Sequence, residues 1–359
     1  MRNLYFALLT LIFCASCQQP KPEDTSLLQL VTTRGGYTLA RINDPWQPAE
    51  VAMQYLLVPA ADQSWTVRIE EQLRQDVGDF TLLRTPLQRM TVTTACHAWL
   101  LGQLDALDHV AVLCDTAYVM AEDIRQWMRN SHIADGGNSM SPNQEILFAA
   151  NTDAVWISPY EGASITVSAP VIYCADYMET SPLRRAEWIR FYGRLVDKAT
   201  MADSLYHVIA TRYDSLVHIS SQKPDLRRAV LAELPYGATW YVPGGKSTSA
   251  LLYRDAGYDY PWSDDTHAGS PSLSPEAVLA KAAACDRWLF KYMSADHDWT
   301  LSEFLQQNPY YPQFHAAQTG EVWGCNTSRS DFFDVTPFRP DLLLESLIHN
   351  DGRFFQQLR

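Results

Sequence analysis

The sequence lacks the short motifs that carry much hydrolytic, metal-dependent and nucleotide-dependent catalysis. It contains no Gly-x-Ser-x-Gly elbow, no His-Glu-x-x-His pair and no Gly-x-Gly-x-x-Gly turn. The segment Gly244-Gly245-Lys246-Ser247 has the last residues of a phosphate-binding loop, but Trp240 occupies the position of the required first glycine. The nine histidines show no ligand spacing. We therefore predict no nucleotide site, no metal site, no cofactor and no enzymatic activity.

Basic side chains are in the minority. The chain has 28 Lys and Arg against 41 Asp and Glu, which gives a net charge of −13. Binding to nucleic acid requires Lys and Arg to neutralise phosphates. This balance therefore excludes nucleic acid as the expected partner.

Long hydrophobic runs are also lacking. The run Leu4–Phe13 follows Arg2, is too short to span a bilayer and is typical of a secretion signal. It ends in Cys14-Ala15-Ser16-Cys17, which resembles a bacterial lipoprotein cleavage box, although Cys14 stands where such boxes usually have Leu. We predict a signal peptide over 1–17, acylation of Cys17 and a tether over 18–27, without deciding between the inner and the outer membrane.

Cysteine is sparse in the remaining chain. The five residues lie mostly in apolar surroundings without close ligand spacing: Cys96, Cys114, Cys174, Cys285 and Cys325. We interpret them as mainly buried thiols, and a disulfide between two of them stays an alternative.

What the sequence does contain is a long helical stretch at its centre. Lys198–Ile219 repeats apolar residues with the helical period and has neither Gly nor Pro. It would span roughly 33 Å, about the width of a small domain. We predict a rigid link over 198–222 between an N-terminal lobe (28–197) and a C-terminal lobe (223–359). The alternative is an ordinary long surface helix within one domain.

Both predicted lobes show α/β patterns. Met90–Thr94, His97–Ala106 and Val110–Cys114 predict strand, helix and strand, and such a unit implies parallel pairing. A second unit starts at 228–234. The two lobes also share a sequence pattern, because a Ser-Pro helix start precedes Asp153 in one and Asp286 in the other. Alternating stretches within 28–80 predict an accessory edge of antiparallel hairpins.

Several segments, in this order, resemble one known family. They are Arg84–Arg89, the Ser-Pro-x-x-Glu start at Glu145, Asp153-Ala154-Val155, Ser181–Ile189 and Asp255-Ala256-Gly257. They look like the helical-backbone substrate-binding proteins of ABC importers for ferric siderophores, haem and cobalamin, over residues 84–350. The resemblance implies two Rossmann-like α/β lobes joined by a single long α-helix, with the ligand cleft between the lobes and only slight closure.

The resemblance also implies a partner and two docking residues. A monomeric receptor of this kind delivers its metal complex to an ABC permease dimer, and one acidic residue on each lobe binds the permease. By position these residues are Glu145 and Glu276. The alternative is that both are ordinary helix-start acids, which the helix dipole favours.

Aromatic and polar side chains in the expected cleft loops are the candidates for ligand contact, since rigid rings cover a flat ligand and polar groups orient its edge. The predicted ligand-binding residues are Tyr118, Trp156, Tyr160, Trp240, Ser247, Tyr260, Trp262, Asn326 and Arg329, and Glu161, Tyr241, Lys246 and Trp323 share these loops. About half of this wider set is expected in the core, since aromatic residues are commonly buried. The predicted function is capture of a ferric siderophore or haem. Cobalamin is the alternative ligand, and an α/β hydrolase or metal chelatase is the alternative class.

Overall fold

The structure of the chain is a computed structural model. It describes residues 26–47, 49–159, 167, 169–222 and 228–359. The predicted signal peptide, Cys17, most of the tether, Tyr160 and Glu161 lie outside these ranges. Within them, no helix combines the length and the apolar character needed to cross a membrane.

The described part of the chain begins with a separate four-stranded sheet. Its elements are β1 (Leu28–Thr32), β2 (Thr38–Asn43), β3 (Val51–Pro59), α1 (Val67–Val77) and β4 (Thr81–Thr85). The first three strands pair antiparallel, as predicted, whereas β4 pairs parallel to β3 after the α1 crossover. Fully buried Tyr55 joins this sheet to the next one. Its hydroxyl donates to the Val171 carbonyl (2.8 Å) and accepts from the Tyr173 N–H (2.9 Å).

The N-terminal lobe is built on a five-stranded parallel sheet. Its elements are β5 (Met90–Val92), α2 (Ala95–Gln103), β6 (Val110–Leu113), α3 (Glu122–Asn130), β7 (Ala134–Asp135), β8 (Gly137–Asn138), β9 (Ser141–Pro142), α4 (Gln144–Ala150), β10 (Ala154–Ile157) and β11 (Val171–Tyr173). The sheet order is β11-β10-β5-β6-β7, and β8 and β9 form a small hairpin. Every residue of β5 and β10 is buried, which is typical of a parallel sheet covered on both faces.

One long helix connects the lobes. After α5 (Pro182–Glu187) and α6 (Ile189–Leu195), α7 extends over Ala199–Ser221, and its 23 residues correspond to roughly 35 Å. A Cβ at Gly193 would lie 2.3 Å from the Cβ of Ala202, so only glycine allows α6 and α7 to approach this closely. The predicted connecting helix is confirmed.

The C-terminal lobe is a second α/β unit. Its elements are β12 (Val230–Ala232), β13 (Pro235–Tyr236), β14 (Thr239–Tyr241), α8 (Thr248–Asp255), β15 (Ser272–Leu273), α9 (Pro275–Ala282), β16 (Arg287–Tyr292), α10 (Leu301–Gln306), α11 (His315–Thr319), β17 (Val322–Asn326), α12 (Phe332–Val335), α13 (Pro340–His349) and β18 (Gln356–Gln357). The main sheet has the order β12-β16-β17-β18, with β18 antiparallel, and β13, β14 and β15 form a small antiparallel sheet. The predicted two-lobed α/β fold is confirmed.

The sequence pattern that the two lobes share has a structural cause. Asp153 precedes β10, and its Oδ2 accepts from the backbone N–H groups of Gln88 (2.6 Å) and Arg89 (2.9 Å), just before β5. Asp286 precedes β16, and its Oδ2 accepts from the Ala229 N–H (2.7 Å), just before β12. Each aspartate therefore fixes the start of the neighbouring strand in its own lobe.

All five cysteines of the described chain are buried free thiols, as predicted. Burial raises the pKa of Cys96 to about 11 and that of Cys285 to about 12, so neither is poised as a thiolate nucleophile.

Candidate functional site

A cleft of about 730 Å³ lies between the two lobes. In the N-terminal lobe its wall comes from the starts of α2 and α5 and from the loop after β6. In the C-terminal lobe it comes from the ends of β16 and β17 and from the starts of α8, α12 and α13. Parallel strands end at one edge of a sheet, and helices of α/β units begin near that edge, so this position is where such folds bind ligands.

Exposed apolar side chains from both lobes gather at this cleft. Tyr118 of the N-terminal lobe is 60% exposed, and Met293 and Phe333 of the C-terminal lobe are 67% and 55% exposed. Large apolar groups left in water at a concave surface mark a binding site more often than a packing defect. The cleft therefore offers adaptable thioether and aromatic contacts to a bulky ligand.

The cleft wall contains two cationic side chains, each paired with a carboxylate, and several helix starts. Arg185 donates from Nε to Asp176 Oδ2 (3.2 Å), and Lys291 forms an ion pair with Glu233. Five helices begin at the wall, and a helix start carries partial positive charge.

A buried hydrogen-bond network lies behind the N-terminal wall. His97 is almost fully buried, with Nδ1 2.6 Å from Thr94 Oγ1 and Nε2 3.0 Å from Asp176 Oδ1. The Tyr192 hydroxyl also donates to Asp176 (2.9 Å). Burial by itself would raise the pKa of Asp176, but His97, Arg185 and Tyr192 together hold it below its ordinary value. The network thus keeps a carboxylate buried next to the cleft.

A second carboxylate, Asp334 of α12, connects the lobes. Its Oδ2 accepts from the backbone N–H groups of Met120 (2.7 Å) and Ala121 (2.5 Å). Its Oδ1 is buried and has no hydrogen-bond partner among the described atoms. Burial raises the pKa of Asp334, although both N–H bonds act against this rise.

The segment around Asp334 crosses from one lobe to the other. Phe332 packs in the C-terminal lobe, with its ring 5.7 Å from that of Phe354. Phe338 packs in the N-terminal lobe, with ring centroids 5.6 Å from His97 and 5.9 Å from Tyr192. The lobes are therefore connected by this segment, the crossing at Phe338, as well as by α7.

Among the described ligand candidates, Tyr118 lines the cleft, whereas Trp156 and Trp240 lie in the core. Trp156 stacks on Tyr192 at 4.7 Å, and Trp240 stacks on Trp288 at 5.6 Å and donates from Nε1 to the Ala232 carbonyl (3.1 Å). Both are fully buried. A neighbouring turn in the sequence does not reveal which side of the strand an aromatic ring occupies, and here both rings face inward.

Three further candidates lie near one another in the C-terminal lobe but not on the cleft. Tyr260 and Trp262 are buried, and the Tyr260 hydroxyl donates to the Pro243 carbonyl (2.6 Å). Ser247 is the N-cap of α8, accepts from the Ala250 N–H (3.2 Å) and lines a separate pocket of about 400 Å³ with Tyr241. Contact of these residues with a ligand stays a prediction.

Asn326 and Arg329 line another polar pocket, of about 500 Å³. The Asn326 amide donates to the Ser294 carbonyl and to Asp298, both at 2.8 Å, so its hydrogen bonds fix a loop. Arg329 donates to the Asp296 carbonyl (3.1 Å). The structure therefore does not bring these two residues to the cleft.

The predicted docking residues lie in matching places on the two lobes. Glu145 is exposed in the first turn of α4, and Glu276 is exposed in the first turn of α9. Glu276 accepts from the Tyr310 hydroxyl (3.1 Å), and its pKa is lowered, mainly by its own backbone N–H.

Sequence reasoning missed Arg185, Lys291, Met293 and Phe333. The signal for two of them was available, because Lys291 and Met293 come at the end of β16, where a parallel strand meets the cleft. Phe333 belongs to a four-residue helix, which is too short for a periodic pattern.

Comparisons with known proteins agree with this architecture. A profile of the periplasmic binding protein family matches residues 99–327, more than half of the chain. An uncharacterized lipoprotein of Methanocaldococcus jannaschii is 25% identical over 293 residues, which cover 76% of this chain and 67% of that protein.

Two solved structures share the fold. The ABC-type Fe3+-hydroxamate transport system structure from Saccharomonospora viridis superposes with a TM-score of 0.59 at 18% identity, covering 77% of this chain and 97% of that one. A periplasmic haem-binding protein from Pseudomonas aeruginosa superposes with a TM-score of 0.56 at 14% identity, covering 76% and 96%. The profile match shows that this chain belongs to the periplasmic binding protein family and is a binding protein rather than an enzyme.

Proposed function

We propose that this protein is the lipid-anchored substrate-binding component of an ABC importer, and that it delivers a ferric siderophore to an inner-membrane permease. The observation that carries the proposal is the cleft between the lobes, where exposed Tyr118, Met293 and Phe333 surround a wall that contains Arg185 and Lys291. A volume of about 730 Å³ lies within the range of small-molecule sites.

The composition of the wall separates the ligand classes. Ferric siderophores present electron-rich oxygens, which suit two cations and five helix starts. Haem is the second candidate, because the exposed phenol of Tyr118 is a possible axial ligand. Cobalamin has less support, since no Trp of the described chain lines the cleft to stack on a corrin ring.

Binding of defined ligands tests the proposal. The purified protein is titrated with ferric desferrioxamine B, haemin and cobalamin, and Tyr118→Ala and Phe333→Ala are compared with Tyr236→Ala, a matched aromatic control that is 84% exposed outside the cleft. We expect the siderophore to be recovered unchanged, with weaker binding in the two cleft variants and unchanged binding in the control. Chemical turnover of a ligand, or equal loss in all three variants, would contradict a receptor that uses this cleft.

The anchor, the lobe limits and the docking residues are part of the same proposal. The cleavage-box pattern at Cys17 supports a periplasmic protein held at a membrane by lipid, and a similar protein is named a lipoprotein. The two sheets support lobes over 28–197 and 223–359 with the link over 198–222. The matching, exposed positions of Glu145 and Glu276 support permease docking, because separated charges fix the register of an encounter.

A further inference from the structure

Two threonines of the C-terminal wall donate their hydroxyl protons to backbone carbonyls. Thr327 donates to the Tyr292 carbonyl (3.1 Å), and Thr336 donates to the Phe332 carbonyl (2.8 Å). Both residues line the cleft. A hydroxyl has one proton and two lone pairs, so each of these groups can only accept a hydrogen bond from a ligand.

The buried network gives Thr94 of the N-terminal wall the same polarity. A carboxylate accepts only, so the bond to Asp176 places a proton on His97 Nε2, and we consider the ring that carries this one proton. Nδ1 is then an acceptor, and the Thr94 hydroxyl donates its proton to it across 2.6 Å. Cys96 Sγ also lies 3.4 Å from this oxygen, so one lone pair of Thr94 remains for the cleft when the thiol donates to it.

These acceptors come from both lobes and are close in the fold. α12, which carries Asp334 and has Thr336 as its C-cap, packs directly on α2, which begins after Thr94. Asp334 lines the same cleft, and its Oδ1 lacks a partner among the described atoms. The junction between the lobes therefore contains several oxygens that need hydrogen-bond donors.

We propose that Thr94, Thr327 and Thr336 form an acceptor wall that selects a ligand with outward N–H or O–H donors, such as the amide or unsubstituted hydroxamate N–H groups of a siderophore. This inference rests on the proposed function. A ligand that lacks donors would cover these oxygens without replacing their bonds to water, and an unmade bond of this kind weakens binding roughly tenfold or more.

A matched pair of iron complexes tests the acceptor wall at pH 8. Ferric tris(acetohydroxamate) and ferric tris(N-methylacetohydroxamate) have the same charge and coordination, but N-methyl groups replace the three N–H donors of the first complex. Equilibrium dialysis gives the affinity ratio. We expect the N–H complex to bind the wild type about tenfold or more tightly than the N-methyl complex.

Variants of the wall test whether its threonines cause this ratio of affinities. Thr336→Val should lower the ratio, and it leaves no unpaired group, because the Phe332 carbonyl still accepts from the Thr336 backbone N–H (3.0 Å). Thr94→Val should lower it as well, whereas Thr94→Ser should preserve it. The control is Thr319→Val, since Thr319 makes the equivalent bond to the His315 carbonyl (3.0 Å) on α11, away from the cleft.

The outcomes separate the inference from the function on which it rests. A ratio near one in the wild type, or a ratio unchanged in both valine variants, overturns the acceptor wall and leaves capture of iron hydroxamates intact. If the protein binds neither of these complexes and does not bind ferric desferrioxamine B, the proposed function and the inference are both overturned.

Discussion

Truncation of Trp240 tests whether this side chain supports the core or the ligand. The ring is fully buried, stacks on Trp288 at 5.6 Å and lies 5.7 Å from Phe314. Trp240→Ala should therefore lower the free energy of unfolding by roughly 3–5 kcal/mol, the range for large core truncations. Loss of the Nε1 bond to the Ala232 carbonyl contributes about 1 kcal/mol of this. Trp240→Phe keeps a ring and should cost less, roughly 1–2 kcal/mol.

Urea unfolding followed by circular dichroism measures these differences. If the two lobes unfold in separate transitions, the transition of the C-terminal lobe should shift. Trp46→Ala is the matched control, because Trp46 is 37% exposed in the N-terminal sheet region, and its removal should cost less than about 1 kcal/mol. Siderophore affinity of the folded Trp240→Ala protein should equal that of the wild type. A loss of binding with less than about 1 kcal/mol of destabilisation would refute the core assignment and return Trp240 to the ligand wall.

Three other predictions follow from the site and its surroundings. The double variant Glu145→Ala and Glu276→Ala should leave ligand affinity unchanged and reduce ligand uptake in cells. Glu71→Ala, an exposed control on α1, should change neither affinity nor uptake, and a fall in the affinity of the double variant would contradict a docking role. The pKa of the Asp176 carboxyl is lowered from 3.8 in the folded state, so the stabilising effect of its charge is present above that value and is lost as pH falls through the lowered pKa. The difference in urea midpoint between wild type and Asp176→Asn should therefore narrow below about pH 4. A difference that stays constant with pH would refute this prediction. Cys17→Ala should move the protein from the membrane to the soluble fraction, and unchanged fractionation would argue against the anchor.

The fold was predictable wherever one physical signal dominated. The helical period of Lys198–Ile219 anticipated α7 to within two residues at its end, because nothing in that stretch breaks a helix. The aspartates before β10 and β16 showed the repeat of the two lobes, since each has the same local bonding role. Local pattern was sufficient for such elements.

The site was less predictable, because the direction of a side chain depends on tertiary packing. Trp240 and Tyr118 both lie near turns, yet the first is fully buried and the second is 60% exposed. Strand alternation assigns faces only when one face meets water, and strands covered on both sides give no such contrast. Asp334 and Phe338 depend on contacts between distant segments, which single-sequence patterns do not contain.

The two crossings between the lobes also restrict how the lobes can rotate. A body attached at one point can turn about three axes, whereas a body attached at two separated points can turn only about the line through both. α7 and the crossing at Phe338 are two such attachments, so rotation that preserves their packing follows one axis. Asp334 and the Met120 and Ala121 N–H groups that it binds lie at one end of this axis, so a rotation about it would displace them least. We therefore expect this part of the cleft to keep its shape when a ligand enters.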